Sequence, residues 1–92
     1  MMVRLSELRC REVINICDGC RVGFIDDAEI DTTGGDVTAL IVPGKARFFG
    51  LFGREDDYVI PWACIRRIGG DTILVEADLE KLRRSRKKKG FL

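Results

Sequence analysis

Histidine is absent from this 92-residue chain, and serine occurs only at Ser6 and Ser85. Without an imidazole there is no Ser-His-Asp or Cys-His unit, no proton shuttle near neutral pH and no His metal ligand. Neither serine stands in a nucleophile-elbow or phosphate-loop setting. No run of about 18 apolar residues occurs, which excludes a transmembrane helix. The opening stretch MMVRLSELRC reaches an acid at Glu7 and has no long apolar h-region. The chain therefore reads as cytoplasmic rather than secreted. Conventional hydrolase or transferase chemistry has no nucleophile–base pair to use, so the sequence predicts no enzyme and no cofactor.

What is present is an ordinary hydrophobic content of 46%, at a length where one core forms with little surplus. The net charge of +1 hides a division. Residues 1–80 hold 15 acids and 9 bases, a charge of −6; residues 81–92 hold seven bases and no acid, a charge of +7. The sequence predicts a domain over 1–78 and a basic C-terminal tail over 79–92.

Short segments rich in β-branched residues, each closed by a turn signal, point to an all-β fold of five to six strands. Leu5-Ser6-Glu7-Leu8 reads as one short turn leading into the first strand. Arg11–Ile16 is the first strand, ending at Asp18-Gly19, a dipeptide suited to a two-residue type I′ turn. Arg21–Ile30 is the second, with a bulge or bend at Asp26-Asp27. Gly34-Gly35 marks the next turn. Val37–Val42 is apolar at nearly every position, as in a central strand covered on both sides. Tyr58–Ile60 is a strand that Pro61 must end or place at an edge. Trp62–Ile65 reads as a tight turn or short helical piece, and Thr72–Glu76 as the last strand. Asp78 is positioned to cap a short helix over Leu79–Arg84, with Glu80 and Arg84 spaced i,i+4.

The segments LSELRCREVIN, DGCRVGFIDDAEID, VTALIVPG, FFGLFGRE and DYVIPWACIRRIGGDTILV occur in this order and together resemble the PRC-barrel domain. More narrowly, they are similar to the YlmC/YmxH group of sporulation-associated proteins of spore-forming Gram-positive bacteria. The resemblance covers residues 3–76 and is most specific over Phe48–Glu55 and Tyr58–Ile65. It implies a small PRC-type β-barrel. PRC-barrel domains also occur in a photosynthetic reaction-centre subunit and a ribosome-maturation factor, where they hold or dock macromolecules. The implied role is a non-catalytic protein-interaction or scaffold module, with a homodimer as one form of it. Fold alone assigns no activity.

Four groups of residues are candidate sites. Phe48, Phe49, Leu51 and Phe52 form a glycine-punctuated apolar stretch that either offers an interaction surface or plugs the barrel. Cys17 and Cys20 stand as C-x-x-C across a turn. They resemble half of a zinc site, or a pair for a disulfide, or two unmodified thiols. The last reading is preferred, with Cys10 and Cys64 as small core residues. Asp27, Glu29 and Asp31 share one side of an extended strand, a conceivable cation surface but more simply a solvated face. Arg83, Arg84, Arg86, Lys87, Lys88 and Lys89 form a basic stretch for RNA, DNA or another polyanion, or else a solubilising tail. An RNA- or ribosome-associated module acting through that tail is the alternative function, and a thiol or metal protein a third. Arg54, Arg66 and Arg67 read as exposed and rim-like.

Overall fold

A computed structural model describes residues 2–44 and 57–84. A single-turn helix, α1 (Leu5–Leu8), leads into β1 (Glu12–Asn15), β2 (Cys20–Phe24), β3 (Asp27–Asp31) and β4 (Asp36–Pro43). After the undescribed residues come β5 (Asp57–Pro61), a 3-10 turn (Trp62–Cys64), β6 (Ile65–Ile68) and β7 (Thr72–Val75). A second 3-10 turn (Leu79–Leu82) and the two-residue β8 (Arg83–Arg84) complete the fold.

The strands form two four-stranded sheets, ordered β2-β1-β7-β6 and β3-β4-β5-β8. Among the described residues their pairing does not close into one continuous barrel, and the class is all-β. The count exceeds the five to six read from the sequence because one predicted segment divides and others were missed. Arg21–Ile30 breaks at Ile25-Asp26, so β2 joins the first sheet and β3 the second. Ile65–Ile68 is a strand with Arg66 and Arg67 exposed and both isoleucines half-buried, a pattern too short and too charged to be recognised. The helix expected over Leu79–Arg84 stops at Leu82. Asp78 Oδ1 does accept the Glu80 N–H (3.2 Å), but Arg83 and Arg84 turn extended and pair with Tyr58 and Asp57. Arg83 approaches Glu80 at 3.4 Å, which replaces the expected i,i+4 pair.

Alternation builds the core. In β1 and β7 every second residue is buried, and the parallel register sets Val13 beside Ile73 and Asn15 beside Val75. Val22 and Ile25 complete this side, facing Leu40, Val42 and Ile60 of the second sheet. Leu8 of α1 closes one end. Only the second half of β4 is covered as predicted; Asp36, Val37 and Thr38 are exposed.

The β1–β2 and β3–β4 hairpins share one design, in place of the two-residue turn expected at Asp18-Gly19. Asn15 pairs with Cys20 and Asp31 with Asp36, leaving four-residue loops. In each loop the fourth residue is a glycine with positive φ, Gly19 at 73° and Gly35 at 79°. Its N–H donates to the carbonyl of the residue before the loop, Asn15 (2.8 Å) or Asp31 (2.7 Å). The side-chain Oδ1 of that same residue accepts an N–H two positions on, from Cys17 (3.3 Å) or Thr33 (3.0 Å). Such local side-chain bonds favour turns over continued strand.

Candidate functional site

Two of the depressions on the described surface bear on function. The first, of about 500 Å³, lies between the β1–β2 loop and the second 3-10 turn, with Cys17, Asp18, Cys20, Tyr58, Asp78 and Glu80 on its walls. Its floor is organised by Asn15, which is wholly buried. The Asn15 Nδ2 donates to the Ala77 carbonyl (2.9 Å), and Oδ1 accepts from Ala77 N–H (3.2 Å) as well as from Cys17 N–H. One amide thus ties the β1–β2 loop to the chain leaving β7, across 62 residues of sequence. The sequence reading missed it, because a single Asn in a strand carries no motif.

Both cysteines in this cleft are exposed free thiols. Asp18 Oδ1 accepts the Cys20 N–H (2.9 Å), so that carboxylate serves the turn. Among the described residues no three His, Cys, Asp or Glu side chains gather as a metal site. Cys64 is half-buried against the core, as expected. Cys10 is not a core residue: it is exposed, its Sγ donating to the Ser6 carbonyl (3.6 Å), because the turn after α1 points it outward.

The second depression is apolar and about 220 Å³ in volume. Leu5 and Leu8 of α1, Ile30 of β3, Val37 and Leu40 of β4, and Trp62 line it. A bulge creates it. Glu29 pairs with Ala39 but Ile30 pairs with Val37, so Thr38 is an extra residue. Thr38 Oγ1 donates to the Glu29 carbonyl (3.3 Å) across the bulge. The one-residue shift turns Val37, not Thr38, to the same side as Leu40. The core-facing side of the second sheet therefore runs on past the core into solvent. Ile30 is 56% exposed, Leu5 45% and Trp62 42%. No signal in the sequence distinguishes these residues from core ones, since their exposure depends on where the other sheet stops.

The remaining candidates fall as follows. Phe48, Phe49, Leu51 and Phe52 lie outside the described residues, as do Arg54, Arg86, Lys87, Lys88 and Lys89. Arg84 lies 3.8 Å from Glu29, so the first tail residues are held against the acidic sheet. Asp27 and Asp31 accept neighbouring backbone N–H groups, from Ala28 (2.8 Å) and Thr33. Arg66 is exposed and held by Glu76 (2.9 Å) and the Ala63 carbonyl (2.9 Å). The hydrogen bond and the charge of Glu76 raise its guanidinium above the ordinary value. Arg21 is raised likewise by Glu12, its cross-strand partner at 2.9 Å. No helix among the described residues is long and apolar enough to cross a membrane.

The family model of the PRC-barrel domain matches residues 1–82. Among curated proteins, the chain is similar to the probable sporulation protein YlmC of Bacillus subtilis, at 40% identity over 74 residues. That match covers 80% of this chain and 91% of YlmC. It is 36% identical over 80 residues to the uncharacterized protein YmxH of the same organism, covering 85% of this chain and 93% of YmxH. A third relative, an uncharacterized protein of Clostridium acetobutylicum, is 38% identical over 74 residues, covering 80% of this chain and 84% of that protein.

Proposed function

The chain belongs to the PRC-barrel domain family, and from that premise we propose that it is a non-catalytic protein-interaction module acting as a scaffold in the cytoplasm of a sporulating cell. The observation that carries this reading is the apolar groove between α1 and the bulged end of the second sheet. A groove of exposed large apolar side chains is a docking feature, whereas catalysis needs convergent nucleophiles, bases or charge stabilisers. The sporulation setting is taken from the name of the relative YlmC. Phe48, Phe49, Leu51 and Phe52 are proposed to add to the interaction surface.

Light scattering over a concentration series tests the reading, on the wild type and on Ile30→Asp. Ile30 is 56% exposed, so the substitution is expected to leave the thermal midpoint within about 2 °C of wild type, as for a surface change of a few tenths of a kcal/mol. The wild type is expected to self-associate, and the variant to associate at least tenfold more weakly. A wild type that stays monomeric, with no protein retained from sporulating cells that Ile30→Asp fails to retain, overturns the proposal.

A further inference from the structure

The cleft beside the β1–β2 loop brings two thiols and three carboxylates to one place. Cys17 and Cys20 are both free and exposed, and both line its wall. The turn between them is pinned at three points. Asn15 Oδ1 accepts the Cys17 N–H, Asp18 Oδ1 accepts the Cys20 N–H, and the Gly19 N–H donates to the Asn15 carbonyl. Residues three apart across a turn have Cα atoms within about 7 Å of each other, and a disulfide spans about 4.4–6.8 Å. The other two cysteines are placed elsewhere. Cys10 follows α1, at the opposite end of β1. Cys64 lies on the far side of β7, where its carbonyl accepts the Glu76 N–H (2.9 Å). With β7 between β1 and β6, that side is about 10 Å from β1, two sheet spacings. Cys20 is therefore the partner that the fold gives Cys17. A tetrahedral metal needs two further ligands, and among the described residues no third ligating side chain joins the pair.

The charge around the pair selects what can approach it. Asp18, Asp78 and Glu80 line the cleft. Asp18 and Asp78 accept backbone N–H groups, and Glu80 lies 3.4 Å from Arg83. Arg66 is the cation whose field reaches Cys17, but it is held by Glu76 at 2.9 Å, the larger influence on its guanidinium. The local balance is negative, which attracts cations and repels anions. Cys10 offers the opposite surroundings on the same molecule: it is exposed and stands between Arg9 and Arg11 in the sequence.

We propose that Cys17 and Cys20 form a thiol–disulfide exchange site, closing a disulfide across the β1–β2 turn at the expense of a small cationic disulfide. A thiolate of the pair attacks one sulfur of that disulfide, forms a mixed disulfide and releases one small thiolate, which takes up a proton. The second cysteine gives its proton to solvent, attacks the bonded cysteine sulfur and releases the other small thiol. The protein loses two electrons and two protons as its S–S bond forms, and the S–S bond of the small disulfide is reduced to two thiols. Excess small thiol runs the same steps backward. The site is separate from the apolar groove, and its activity adds to the interaction-module reading without resting on it.

The test exposes the reduced full-length chain to cystamine or to glutathione disulfide, quenches with acid and maps the products by mass spectrometry. Trypsin releases Cys17 and Cys20 together, between Arg11 and Arg21. With cystamine that peptide is expected to lose two hydrogens and keep no cystamine half, while Cys10 keeps one. Cys17→Ser and Cys20→Ser are each expected to keep one half at the cysteine that remains. The rate with cystamine over that with glutathione disulfide, divided by the same ratio at Cys10, cancels the reagents' own reactivities. This quotient is expected to be at least about fivefold at low salt and to fall toward one at about 0.5 M salt, where charges are screened within about 4 Å. Separate adducts on Cys17 and Cys20, or a bridge from either to Cys10 or Cys64, overturn the proposal. A quotient of one at low salt overturns it too, since the cleft then selects nothing. Failure here leaves the groove reading intact, because the Ile30→Asp test involves no cysteine.

Discussion

Asn15 is the residue on which the cysteine cleft turns. Its side chain satisfies both polar groups of Ala77 and the Cys17 N–H from a fully buried position. Asn15→Ala leaves backbone groups without partners where water has little access, which costs about 1–3 kcal/mol per stranded group. We expect a loss of about 2–4 kcal/mol in urea unfolding, a large fraction of a small domain's margin of about 5–15 kcal/mol. Asn15→Asp keeps the acceptor but loses the bond to the Ala77 carbonyl and buries a charge, so it is expected to recover little at pH 7. Recovery should improve as the carboxyl is protonated toward pH 4. Equal stability of wild type and Asn15→Ala would show that the loop and the β7 exit are held by other contacts. This residue was not legible in the sequence: its value comes from a partner 62 positions away. The cysteines were legible as a C-x-x-C, but whether two thiols sit in a turn with further ligands depends on what packs opposite them. What packs opposite is acidic and aromatic, Asp78, Glu80 and Tyr58.

The strands themselves were mostly visible, because β-branched runs and glycine turns are local signals. Sheet membership was not, and neither was the bulge at Thr38: both depend on pairings chosen by the rest of the chain. The hairpin loops give a direct test at this scale. Gly19 and Gly35 occupy the left-handed region with open space at their Cβ positions, so replacing either with alanine tests backbone conformation alone. Each substitution is expected to cost about 1 kcal/mol, and the two losses should add, since the loops belong to different sheets. Gly70 also has open space but no positive φ. Gly70→Ala is therefore expected to be neutral or to stabilise by up to about 1 kcal/mol through the unfolded chain. Thermal midpoints of the four proteins with the double variant settle the matter. A Gly19→Ala chain as stable as Gly70→Ala would remove the left-handed requirement.

At the scale of the molecule, the all-β class and the acidic body with a basic end were legible, since both follow from composition and pattern. The groove was not, because it exists only where one sheet outruns the other. The two sheets share a single core, and Ile73, with no exposed surface, lies in β7, one of the two central strands of the first. Ile73→Ala is expected to cost about 3–4 kcal/mol. Trp62 emission, which reports beside the second sheet, should then change at the same denaturant concentration as the far-ultraviolet signal, as one cooperative unit requires. Separate transitions would mean that the sheets unfold independently. The parallel pairing of β1 with β7 has a consequence in time as well as in space. Glu12 is matched with Thr72, and β7 stands between β1 and β6. The β1–β2 and β3–β4 hairpins close over loops of four residues, but β1 lacks its parallel partner until Val75 has been synthesised. A nascent chain therefore carries β1 and β2 as a lone ribbon, with the β1 edge that β7 will fill unpaired for most of its synthesis. The late, long-range closure of that edge is expected to set the folding rate.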